Sequence, residues 1–164
     1  MLGKHLREEH DAFRKKIEHI REIADLIRDE PSPVIHNGVD ATLSFVLDEL
    51  LPHAKVEEQA LYPVVANLMG GEQATRSMKE DHRAIEKCVN EIADVRKRHH
   101  SSPGGPPPLI DIRRILYSLH AIISLHLEKE ETIYIPLLES KLTEKESEEV
   151  IAAVEKAAAE IFGS

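Results

Sequence analysis

The sequence predicts an all-α fold: an antiparallel up-down-up-down four-helix bundle with a short additional C-terminal helix. Three observations predict it. Long stretches are rich in Leu, Ile, Ala, Glu, Lys and Arg, which form helices readily. Within them apolar residues recur at steps of three and four, and no stretch alternates as a strand would. Breaks at "DEPSP" (29–33), Gly70-Gly71 and "SSPGGPPPL" (101–109) divide the chain where a helix cannot continue. Short connections make consecutive helices antiparallel neighbours.

The first helix carries Leu6, Phe13, Ile17, Ile20, Ala24 and Ile27 on one stripe, with a gap at position 10. The second carries Leu43, Val46, Leu50, Leu61, Val64 and Leu68, with gaps at 53 and 57. Pro52 lies in its interior, lacks a backbone donor and predicts a bend just before residue 53. The third helix carries Met78, Ile85, Val89 and Ile92 around a gap at 82. The fourth carries Ile112, Leu116, Leu119, Ile123, Ile133 and Leu137 around gaps at 126 and 130. Each stripe is narrow, as in a bundle. Thr143 and Glu146 read as a capping box opening a fifth helix. Its apolar face, Val150, Val154, Ala157 and Ile161, is predicted to lie across the end of the bundle rather than to bind a partner. The whole chain, 1–164, reads as one domain, with the bundle over about 3–140 and the last helix over about 143–162.

Composition narrows the function. The formal net charge of -9 argues against nucleic-acid and anionic membrane partners. No apolar run approaches a membrane span, and the N-terminus is charged from Lys4 onward, unlike a signal peptide. The single cysteine, Cys88, reads as a small buried residue. A lone cysteine also fits a reducing, cytoplasmic setting. The composition leaves ten histidines unexplained.

Six polar residues fill the gaps in the stripes: His10, His53, Glu57, His82, His126 and Glu130. They belong to an internal repeat. "REEHDAFRKKIEHI" from Arg7 returns as "KEDHRAIEKCVNEI" from Lys79, an offset of 72. "HAKVEEQALYP" from His53 returns as "HLEKEETIYIP" from His126, an offset of 73. A duplicated helix pair with approximate two-fold symmetry brings matching side chains around one point. The distances along the chain from each residue to its flanking breaks agree within about one helical turn, so all six fall in one layer. A single histidine on a core face is usually hydrogen-bonded packing. Four histidines with two carboxylates in one buried layer need charge and ligands, because buried unpaired carboxylates are costly. A metal supplies both. The set is too rich in nitrogen for calcium or magnesium and has no thiolates for structural zinc. Two histidines per ion with two bridging carboxylates suit a pair of iron ions, with manganese or zinc as alternatives.

These motifs resemble the hemerythrin family, specifically its HHE cation-binding branch. The resemblance rests on the paired His-x-x-x-Glu-Glu phrases ending in Pro, and on "EEH" at 8–10 and "EDH" at 80–82. It implies a non-haem di-iron centre, often oxo- or hydroxo-bridged, that binds dioxygen reversibly. Two departures are visible. Oxygen-carrying hemerythrins have two histidines four apart on helix three, whereas here the earlier position is Met78 and Glu86 follows His82 by four. The helix-four carboxylate also follows its histidine by four rather than five. Both changes favour an exchangeable coordination position.

The leading functional expectation is a protein that binds dioxygen or a related small molecule, by inner-sphere electron transfer from two ferrous ions. Two alternatives stand beside it: an enzyme that turns over peroxide or nitric oxide at the same centre, and an iron- or oxygen-sensing module signalling through the fifth helix. Glu86 and His120 are weighed as further contributors to the site. Glu58 and Glu131 are expected to face solvent, and Tyr62 to serve ordinary packing. His36 and His99 fall near helix ends, and His5, His19 and His100 read as surface residues.

Overall fold

The computed structural model describes residues 2–28, 32–101 and 109–163, without the side chains of His99 to Ser101. The interiors of the 29–33 and 101–109 breaks therefore lie outside the described residues, as do the His99 and His100 side chains. Among the described residues the regular structure is entirely helical. Helix α1 spans Leu2–Leu26. Helices α2 (Pro33–Phe45), α3 (Leu51–Val56) and α4 (Tyr62–Met69) follow one another without a break through π-helical turns at Val46–Leu50 and Glu57–Leu61. A 3-10 turn, Glu72–Thr75, leads into α5 (Arg76–Ser101). Helices α6 (Leu109–Lys129) and α7 (Ile135–Lys141) are joined by a π turn at Glu130–Tyr134, and α8 spans Glu144–Phe162.

Local chemistry sets the ends. The Ser32 hydroxyl accepts the Ile35 N–H at the start of α2, with Pro33 in the first helical position. Gly70, at φ 90°, closes α4 in the left-handed region open to glycine. At α8 the Thr143 hydroxyl accepts the Glu146 N–H, and the Glu146 carboxylate accepts the Thr143 N–H at 2.8 Å, so the predicted capping box is formed.

At Pro52, where the sequence predicts a bend, the helical run is unbroken and carries a changed turn, Val46–Leu50. Each π turn ends two residues before a proline: Pro52, Pro63 and Pro136. A proline cannot donate to the carbonyl four residues back, and its ring crowds that carbonyl. The wider turn ahead of it relieves the crowding. There the N–H of Leu51 bonds to Val46, that of Tyr62 to Glu57, and that of Ile135 to Glu130. The extra residue in each turn also moves the apolar stripe. The expected core positions Val64 and Leu68 are only partly buried and Ile133 is exposed, while Tyr62, Val65, Tyr134 and Ile135 are buried.

Helix α1 packs on α6 and α2, and α5 packs on α6. Contacts along each pair run in opposite order. Arg7, Arg14 and Asp25 meet Glu139, Glu131 and Tyr117. Asp81 and Glu91 meet Lys129 and Arg114. The core forms two aliphatic clusters. One contains Phe13, Leu50, Ile85 and Ile123; the other contains Leu6, Leu61, Met78 and Tyr134. On all four long helical runs the six gap residues fall between them. Helix α8 buries Val150, Val154 and Ala157 in the second cluster, against α3, the Glu57–Leu61 turn and α1. Cys88 is buried in the first cluster. No described helix is long and apolar enough to cross a membrane.

Candidate metal centre

All six gap residues are buried. His10, Glu57, His82, His126 and Glu130 are 6% exposed or less, and His53 is 8% exposed. They converge on one volume. Glu57 Oε1 lies 3.1 Å from His53 Nε2, and Glu57 Oε2 lies 3.5 Å from His82 Nε2 and 3.9 Å from His126 Nε2. Glu130 Oε2 lies 3.3 Å from His10 Nε2, and Glu130 Oε1 lies 3.6 Å from His126 Nε2. Each carboxylate therefore faces imidazoles from both halves of the repeat. Two ligand groups result, His10–His53–Glu57 and Glu57–His82–His126, with Glu57 common to both.

The outer edge of each imidazole faces a second carboxylate on a neighbouring helix. Glu131 lies 3.2 Å from His10 Nδ1, and Glu58 lies 2.6 Å from His82 Nδ1. Asp81 lies 3.3 Å from His126 Nδ1, and Glu9 lies 4.0 Å from His53 Nδ1, a charge contact rather than a hydrogen bond. These four pairs obey the repeat: Glu131–His10 matches Glu58–His82, and Glu9–His53 matches Asp81–His126. A carboxylate only accepts, so it keeps the ring proton on Nδ1 and turns the Nε2 lone pair inward. The partners are themselves held, Glu131 by Arg14 at 2.6 Å and Asp81 by Lys129.

Glu58 and Glu131 thus do not simply face solvent, as the sequence suggested. They follow Glu57 and Glu130 by one residue, and a turn of ~100° aims them at the adjacent helix. Their signal was present in the doubled "EE" of both phrases, as that of Glu9 and Asp81 was in "EEH" and "EDH". Tyr62 is the second correction. Its hydroxyl donates to Glu130 Oε1 at 2.7 Å and lies 3.3 Å from His82 Nε2. On an α-helix, a residue five beyond Glu57 would be rotated ~140° away. The five-residue π turn brings it back over the same face. Its counterpart in the repeat is Ile135, so the phenol belongs to one half only. Glu86 is exposed and outside the cluster, and His120 pairs with Glu18 at 3.5 Å, so neither joins the centre. His36 is exposed, while His5 and His19 pair with Glu9 and Glu22 on their own helix.

The electrostatics are those of a site that holds cations. Burial, the largest single effect, lowers the His53 imidazole, but the charge and hydrogen bonding of Glu57, with the Glu9 and Glu130 charges, together outweigh it and push it up to about 9. Against the same effect of burial, Glu130 raises His10, and Glu57 and Glu130 raise His126. Burial would raise Glu57, but His53, His126 and His82 hold it well below the usual carboxylate range. Burial, with the Glu57 and Glu130 charges, pushes the Tyr62 phenol well above its ordinary value, so it stays a donor. Five buried atoms at the centre have no hydrogen-bond partner: His10 Nε2, His53 Nε2, both Glu57 oxygens and Glu130 Oε2. Orphaned lone pairs this deep are expensive unless a cation receives them. The donor set therefore fits a metal.

The profile of the hemerythrin HHE cation-binding domain matches residues 1–138. The chain belongs to this family. Helix α8 lies beyond the part of the chain that the hemerythrin profile covers. Neither the curated proteins nor the solved structures contain a match to this hemerythrin-family chain.

Proposed function

We propose that this protein is a non-haem di-iron protein that binds dioxygen or a related small ligand. In this reading His10, His53, Glu57, His82, His126 and Glu130 hold the two ions within an antiparallel up-down-up-down four-helix bundle. The opposed order of the interhelical contacts supports the bundle. One observation carries the metal reading: two buried carboxylates each face imidazoles of both repeat halves, and their oxygens are largely unpartnered. That is the donor arrangement for two cations side by side.

Bound ferrous ions would supply the electrons that a ligand such as dioxygen accepts. The protein's own groups do the rest. The outer carboxylates hold each imidazole in the tautomer that points Nε2 inward. Glu57 and Glu130 span the two halves and offset the mutual repulsion of the cations. The aliphatic clusters above and below exclude water. The Tyr62 hydroxyl donates to Glu130 and fixes its rotamer. The same hydroxyl favours a second reading, turnover of peroxide, because it is a protic group at the centre. Oxygen evolution from added peroxide separates the two.

Anaerobic reconstitution should give about two iron ions per chain, and admission of air should change the visible spectrum reversibly. A content near zero for iron, zinc and manganese alike overturns the reading, and a content of one replaces it with a mononuclear site.

A further inference from the structure

A small ligand has to cross the wall of helices to reach this centre, and the walls differ. Between α1 and α6, Arg14 and Glu131 close over His10, which is 1% exposed. Between α1 and the α2–α3 run, Phe13 packs edge-on to the His53 ring at 5.2 Å, and Lys16 pairs with Glu49. Between α5 and α6, Lys129 and Asp81 close over His126. Among the described residues no Lys or Arg ion pair closes over His82 between α3 and α5. Arg83 of α5 turns back to Glu80 on its own helix. A cleft of about 340 Å³ opens there, with His82 in its lining. Leu47, Leu51 and Pro52 form one apolar wall, and Lys55, Arg83 and Glu86 stand at the charged rim. Glu58, which holds His82 Nδ1, also lines the cleft and is 39% exposed at its side chain. The rim carries two cations and two carboxylates, so it is locally neutral in a chain of net charge -9. An uncharged or singly negative small molecule meets no barrier of like charge there. The larger groove at Phe45, about 670 Å³, has no residue of the centre in its lining.

We infer that the cleft between α3 and α5 is the route by which a small ligand reaches the metal centre. The inference rests on the di-iron reading. Leu51 is half-buried on the cleft wall and Leu47 is half-exposed at its mouth, so either accepts a larger side chain.

The test uses the iron-loaded full chain and the variants Leu51→Trp, Leu47→Trp and, as a control in the Phe45 groove, Ala41→Trp. Rapid mixing follows azide binding to the ferric form and oxidation of the ferrous form by dioxygen. Iron per chain is measured on every sample. The expected result is tenfold or slower association in Leu51→Trp or Leu47→Trp, with iron content and equilibrium azide affinity unchanged, and wild-type rates in Ala41→Trp. Wild-type rates in both cleft variants, with iron retained, overturn the route and leave the di-iron reading standing. If Leu51→Trp alone loses iron, Leu47→Trp decides. Failure of the wild-type chain to hold iron removes the reading and the route together.

Discussion

Replacing Glu57 with Gln keeps the shape of the side chain and removes its charge. The two Glu57 oxygens lie 3.1 to 3.9 Å from three different imidazoles, so a single substitution touches both halves of the centre. At ~4 Å and an effective dielectric near 20, a unit charge attracts a doubly charged ion by about 8 kcal/mol. Desolvation of the carboxylate offsets much of this, leaving a few kcal/mol per ion, or on the order of a hundredfold or more in affinity. Glu57→Gln should therefore lose both ions to a competing chelator that leaves the wild type loaded. The metal-free variant gives a second readout. In the wild type Glu57 is the chief group that lifts the His53 imidazole to about 9 against burial. Without it burial dominates, and the His53 titration should fall well below about 9, as followed by NMR. Retention of two ions by Glu57→Gln would refute the bridging role. An unmoved His53 titration would refute the electrostatic account.

Glu58→Ala and Glu131→Ala each remove one Nδ1 partner, and should weaken metal binding by about 10–100-fold while saturating iron still loads both sites; unchanged chelator competition would show that these carboxylates do not orient His82 and His10. Tyr62→Phe strips Glu130 of its donor in a buried site and should lower metal-free stability by about 1–3 kcal/mol, measured by denaturant unfolding. Raised imidazoles in the metal-free protein set its pH dependence. The His53 contribution is complete below its unfolded value near 6.5 and is lost as pH rises through about 9, with His10 and His126 acting in the same direction. The metal-free melting temperature should thus fall between pH 6 and pH 9 by on the order of 5–10 °C, with a smaller fall in the loaded protein, where the ions hold the imidazoles neutral. Gly38→Ala would place a Cβ 2.1 Å from Ile23 Cδ1 in a filled core and should cost about 1–3 kcal/mol, read by thermal unfolding.

The all-helical class and the burial of the six gap residues were legible in the sequence because each depends on local periodicity. An apolar stripe broken by His or Glu at the same register in two copies of one phrase needs no tertiary contact to be noticed. The stripe after Leu61 and after Glu130 was misread by one position, because periodicity assumes 3.6 residues per turn and the prolines impose a wider one. That same turn carried Tyr62 into the centre. The partners of the imidazoles were decided only in three dimensions. Whether Glu58 meets water or His82 depends on how α3 is rotated about its axis and how closely α5 approaches it. Those quantities follow from the packing of the two aliphatic clusters, a sum over residues far apart in the chain. The sequence by itself determined which groups the layer contains; packing decided that Glu57 and Glu130 span both halves and that each ring has a carboxylate behind it.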